Sequence, residues 1–132
     1  MAEMRRRKSW LRKLVEFALD SDVNQAIDEQ KRILRVAPES ARAHYDLAVL
    51  HYSQGRVAEA VASYDRAIEC DPGFAPAYRK LGEVFISAGD YEQAGRYALM
   101  AADLGDSSLV EMFERYPAVK KYVERTIAVS DS

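Results

Sequence analysis

Two consecutive segments decide the fold: ARAHYDLAVLHYSQGRVAEAVASYDRAIECDPGF (residues 41–74) and APAYRKLGEVFISAGDYEQAGRYALMAADLGDSS (residues 75–108), which match when one is slid onto the other by 34 residues. In that register Ala41, Ala43, Leu47, Ser53, Gly55, Ala60 and Ala67 fall on Ala75, Ala77, Leu81, Ser87, Gly89, Ala94 and Ala101. Self-similarity at such a period marks units that cannot bury their own apolar faces. They stack on their neighbours and leave an extended surface for partners. The pattern therefore predicts an all-α repeat array that works by binding.

The punctuation of the chain agrees. Ser40 can cap a helix through Ala43, Leu47, Ala48, Val49 and Leu50 to Tyr52, closed by Gly55. One period later Pro76 stands in a first turn, and the run from Ala77 to Ile86 closes at Gly89. Partner helices are expected near residues 57–70 and 91–104, ended by Asp71-Pro72-Gly73 and by Gly105. Upstream, apolar residues from Trp10 to Ala18 keep helical spacing and predict a first helix ending near Ser21-Asp22. A second helix carries Val23, Ala26, Ile27, Ile33 and Leu34 and stops before Pro38. Three helical hairpins result. Ser108-Leu109-Val110-Glu111 reads as a capping box opening a tail helix, with apolar residues at Phe113, Tyr116, Val119, Tyr122, Val123 and Ile127 and a kink at Pro117. The tail is expected to cover the open face of the last hairpin, and residues 1–4 and 129–132 to be unstructured.

These residues resemble the tetratricopeptide repeat, a 34-residue helical hairpin. The repeat at 41–74 supplies Leu47, Ala48, Gly55, Ala60, Tyr64, Ala67 and Pro72. The repeat at 75–108 supplies Tyr78, Leu81, Gly82, Phe85, Gly89, Ala94 and Ala101, with Asp106 in place of the closing proline. The copy at about 7–40 is the most divergent, keeping Trp10, Phe17, Ala26 and Pro38 but holding Leu14 and Lys13 where a small residue and Leu are usual. The resemblance implies one domain over residues 1–132: a right-handed superhelical solenoid of three such hairpins, with C-terminal capping helices over 108–128.

It also implies a concave groove lined by the first helix of each hairpin. The groove-facing places hold Lys8, Leu11 and Val15; Arg42, Tyr45, Val49 and Tyr52; and Arg79, Glu83 and Ile86. Some family members clamp the C-terminal carboxylate of heat-shock chaperones with Lys and Asn. The matching places here are Leu11, Val15, Asp46 and Pro76, with only Lys80 basic, so that clamp is absent. A groove of Tyr, Val, Ile and Arg suits an amphipathic helix, or an extended segment with aromatic and acidic side chains, of a partner protein. The resemblance thus implies an adaptor or scaffold. The alternative is a self-assembling dimer or oligomer joined through the C-terminal helices.

Composition excludes other classes. The chain of 132 residues is 48% apolar and 30% charged, as an ordinary globular domain is. Residues 1–13 carry six Lys/Arg and one acid, while the remaining 13 basic and 20 acidic residues leave −7. An acidic body argues against general nucleic-acid binding, which needs a continuous cationic footprint. The basic start is the one place for contact with an anionic membrane, but Trp10 matches a packing place that competes with insertion into lipid. The lone Cys70 permits no internal disulfide and fits a reducing, cytoplasmic setting. No apolar run reaches the roughly 20 residues of a membrane span, and the basic start lacks a cleavage site for export. His44 and His51, two turns apart on one helix, are about 10 Å apart along the axis and are expected to pack rather than share a metal. Neither a phosphate loop nor a nucleophile motif occurs, so no enzyme, cofactor or metal is expected.

Overall fold

The computed structural model describes residues 2–117 together with 120, 121, 124, 125 and 128, and side chains from Ser9 onward. Its elements are α1 (Ala2–Val36), α2 (Ala41–Ser53), α3 (Val57–Cys70), α4 (Ala75–Ser87), α5 (Tyr91–Asp103) and α6 (Ser108–Glu114). No strand occurs among the described residues. Each helix packs on the next in the chain, and α6 also reaches back to α4. This is the stacked array that the 34-residue repeat predicts.

Helix ends in the two central hairpins follow the sequence closely. Ser40 Oγ accepts from the Ala43 amide at 3.2 Å and caps α2. Gly55 and Gly89 take φ of 75° and 77°, the left-handed conformation that closes α2 and α4. The returning amides of Arg56 and Asp90 then bond to the His51 and Phe85 carbonyls at 3.0 and 2.9 Å. Asp90 caps α5 through the Gln93 amide at 3.2 Å.

Small residues set the spacing of the layers. Ala48, Ala60, Ala67, Ala77, Ala94, Ala98 and Ala101 are fully or almost fully buried, which lets helix backbones approach, and Tyr64, Leu81 and Phe113 fill the space between. Gly82 marks the tightest approach: a Cβ there would lie 2.5 Å from Leu109 Cδ1. Leu109 and Phe113 of α6 are buried against Ala94 and Ala98, so the tail covers α5 as expected.

Three expectations are corrected. The turn at Ser21-Asp22 is not made, and α1 runs straight through it, leaving two closed hairpins instead of three. The reason lies in the repeat itself: Ser21 occupies the place of Gly55 and Gly89, and a side chain in the left-handed region costs about 1–2 kcal/mol. With neither Gly nor Pro at this point, continuing the helical hydrogen bonds is the cheaper course. Residues 2–4, expected to be unstructured, belong to α1. The capping box also takes another form. Ser107 precedes α6 and its Oγ donates to Glu111 at 2.9 Å, while Asp106 accepts from the Ser108 amide at 3.1 Å and from Ser108 Oγ at 2.6 Å. An Asx-type turn has replaced the Ser-to-amide cap. Val119, Tyr122, Val123 and Ile127 lie outside the described residues.

Candidate functional site

The stripe Arg42, Tyr45, Val49 and Tyr52 follows one face of α2, and Arg79, Glu83 and Ile86 follow one face of α4. Two aromatic residues from outside α2 pack against its stripe. Phe74, just before α4, meets Tyr45 edge-on at 5.4 Å between ring centroids. Tyr64 of α3, buried, lies 5.8 Å from Tyr45. Burial raises the Tyr64 phenol well above its ordinary value, and Tyr45, Glu83 and Tyr52 push it further. Tyr64 therefore stays neutral.

Roles within the stripes differ. Tyr45 is half-buried and packs against the core. Val49 and Tyr52 are exposed at 38% and 39% and offer the free apolar surface, with half-buried Ile86 on α4. The charges are largely spoken for. Arg42 Nε lies 3.1 Å from Asp46 with its guanidinium 5.8 Å from the Tyr45 ring centre, and Lys80 pairs with Glu83 at 3.3 Å. Arg79 Nε is 3.2 Å from Asp106 Oδ2 in an ion pair that lacks the alignment of a hydrogen bond. Ser108 Oγ, the Ser108 amide and Arg79 hold the Asp106 carboxyl below the usual carboxylate range, against a smaller opposing effect of burial.

Leu11 and Val15 do not join the α2 and α4 stripes. They sit on the first half of α1, where every residue from Ser9 to Asp20 is exposed, because the helix does not turn back at Ser21. The Lys8 side chain lies outside the described residues. Sequence reasoning passed over the Arg79–Asp106 latch, having read Asp106 only as a lost proline. The run Asp106-Ser107-Ser108 carried the signal, since Asp before Ser favours a side-chain turn.

His51 is buried, with Nδ1 3.3 Å from Glu59 Oε2 but poorly aligned, and His44 Nε2 lies 2.9 Å from the Pro38 carbonyl oxygen. Cys70 is half-buried with Sγ 3.9 Å from that same oxygen. Among the described residues, no three His, Cys, Asp or Glu side chains gather as metal ligands, and no helix is long and apolar enough to cross a membrane.

Among curated proteins, the chain is similar to the TPR repeat-containing thioredoxin TTL4 of Arabidopsis thaliana, 26% identical over 84 residues, and to a protein SGT1 homolog of Oryza sativa subsp. japonica, 32% identical over 76 residues. The matched segments are 64% and 58% of this chain but only 12% and 21% of those proteins. Among solved structures, the TPR2B domain:pHsp70 complex of yeast Sti1 superposes with a TM-score of 0.62 at 24% identity, covering 83% of this chain and 86% of that one. The Yersinia enterocolitica type III secretion chaperone SycD, in complex with a peptide of the translocator YopD, gives 0.62 at 16% identity, covering 94% and 96%. At those identities the likeness is one of fold. Two tetratricopeptide repeat models match residues 20–75 and 63–96, the first beginning where the exposed half of α1 ends. The repeat period, the stacked hairpins and both matches agree: the chain belongs to the tetratricopeptide repeat family.

Proposed function

We propose that this chain is a non-catalytic adaptor that holds a segment of a partner protein along the α2 and α4 stripes. The observation that carries the reading is that Val49 and Tyr52 stand exposed on the same face of α2 as Tyr45, whose ring packs on Tyr64 and Phe74. Apolar side chains exposed on a helix that is itself held by a packed aromatic cluster lose little freedom on binding. The fold neighbours support it, since the Sti1 and SycD structures are complexes with pHsp70 and with a YopD peptide. Pairing of Arg42, Lys80 and Arg79 with acids favours a segment held by apolar side chains over one held by its charge. An incoming C-terminal carboxylate finds Asp46 and no free clamp, so a chaperone tail is disfavoured.

Panning a displayed peptide library on the whole chain tests the proposal. Selected peptides should carry spaced apolar residues, shift the amide resonances of α2 and α4, and bind a Val49→Ser/Tyr52→Ala variant at least about tenfold more weakly. Peptides that bind wild type and variant equally, or that shift only α6, would overturn it. The alternative, assembly through the C-terminal helices, loses one of its contacts: Phe113 is already buried on α5, though Tyr116 is exposed.

A further inference from the structure

The first half of α1 is the largest unpartnered apolar face among the described residues. Trp10, Leu14 and Phe17 form one row and Leu11, Val15 and Ala18 the next, with Trp10 63% and Phe17 73% exposed. The internal repeat says what this face is built for. Leu14 and Phe17 correspond to Ala48 and His51 in α2 and to Gly82 and Phe85 in α4. All of these are buried or half-buried against the helix that follows.

A matching surface lies on the second half of the same helix. Glu29, Arg32, Ile33, Val36 and Ala37 line a hollow of about 390 Å³. Ile33 is exposed there, although its counterparts Ala67 and Ala101 are completely buried. In the closed hairpins that place is covered; here it is open. The ring pair Tyr78–Tyr97 translates to Trp10 beside Glu29, in that hollow. Tyr45–Tyr64 translates to Leu11 beside Gln30, His51–Glu59 to Phe17 beside Gln25, and Phe85–Tyr97 to Phe17 beside Glu29. The midpoints of these pairs fall between residues 19 and 23, around Ser21.

One chain cannot easily bring the two halves together. Ser21 lacks the freedom of the glycine at the turn, and the helix is continuous. Leu14 and Ile33 replace Ala or Gly at close crossings, and separate helices can move apart to admit such side chains where a two-helix turn holds them close. A second copy, turned about a twofold axis at Ser21, meets every requirement, because an antiparallel pair of α1 helices repeats each contact twice. We infer that α1 is exchanged between two copies of this chain, the first half of each filling the open hollow of the other.

Size and charge agree. The two arms bring four rings, each burying about 150–250 Å² when covered, and eight aliphatic side chains from Leu11, Leu14, Val15 and Ala18. Even with the part already covered discounted, this passes the roughly 1,200 Å² at which specific interfaces begin. The six basic residues in the first 13 would approach a body of net charge −7, with Lys13 close to Glu29 of the opposite copy.

The test uses the full chain with Cys70→Ser throughout. Light scattering should give twice the 14.9 kDa chain mass. Phe17→Cys and Gln25→Cys, prepared separately, should form a disulfide-linked pair when mixed. Phe17→Asp should weaken the dimer about thirtyfold or more while the circular dichroism of α2–α6 persists. Ser21→Gly with Leu14→Ala, which restores the turn and crossing of the other repeats, should return the mass to one chain. A wild-type monomer at all concentrations overturns the inference, whether its arm is folded back, free, or taken up by anionic lipid. So does a dimer that survives Phe17→Asp or gives no mixed cross-link. Loss of peptide binding by the Val49→Ser/Tyr52→Ala variant leaves these readouts unchanged, so the two readings fail separately.

Discussion

Replacing Gly82 by Ala probes how closely α4, α5 and α6 approach. The added methyl would meet Leu109 Cδ1 at 2.5 Å, the Ala94 carbonyl oxygen at 3.6 Å and Tyr97 Cβ at 3.7 Å. The last two are ordinary contacts, so the penalty falls on Leu109. That side chain is buried among Ala94, Ala98 and Phe113 and can move only by displacing packed neighbours, at about 1–3 kcal/mol. Against this, Ala favours a helix interior over Gly by about 1 kcal/mol. The net effect is a loss of about 1 kcal/mol. In a Leu109→Ala background the obstruction is gone and only propensity remains, so the same change should gain about 1 kcal/mol. The coupling between the two sites is then about 2 kcal/mol. Amide exchange of α5 and α6 in the four proteins, with urea unfolding alongside, measures the cycle. Equal stabilisation by Gly82→Ala in both backgrounds would refute the close approach and the seating of α6 on it.

Burial lowers the His51 pKa, with Glu59 opposing and Lys31 and Arg56 adding to the shift. The unfolded chain therefore takes up its proton first, and stability present above about pH 6.5 is lost as pH falls toward the folded pKa. His51→Phe, which copies Phe17 and Phe85, should flatten unfolding midpoints between pH 5 and 7; an unchanged slope would count against a buried neutral imidazole. Tyr45→Ala should cost about 2–3 kcal/mol because the ring packs on Tyr64 and Phe74, and Tyr52→Ala no more than about 1 kcal/mol, both read from denaturant midpoints. Asp106→Ala removes the Arg79 pair and the Ser108 turn, so exchange of α6 amides should quicken before that of α3; unaltered α6 protection would deny the latch any role.

The helices that a reader of the sequence can place are those whose ends are chemically forced. Ser40, Gly55, Gly89 and Pro76 each act on the adjoining turn, and the alanines at Ala60, Ala67, Ala94 and Ala101 announce close crossings wherever they recur. Ser21-Asp22 looks equally like a boundary because both residues are good caps, yet neither forbids a helix interior, and absence of glycine outweighs presence of a cap. The candidate site was legible as stripes, since residue phase along α2 and α4 follows from the period. Its electrostatics were not, because the acid that pairs with Arg79 belongs to the turn before α6, and because Tyr45 could be assigned to floor or surface only once Tyr64 and Phe74 were placed beside it.

Trp10 is the only tryptophan in the chain, and it stands on the exposed half of α1, while eight tyrosines are spread over the rest. Excited at 295 nm, a lone copy should emit at nearly the same wavelength folded or unfolded, since its indole is largely wet in both states. A flat tryptophan melt would then coexist with cooperative loss of helix. The same indole turns into a selective reporter once something covers the arm: its emission should move to the blue and resist iodide quenching while α2–α6 contribute no signal at all. One built-in fluorophore thus separates events on α1 from the melting of the array behind it.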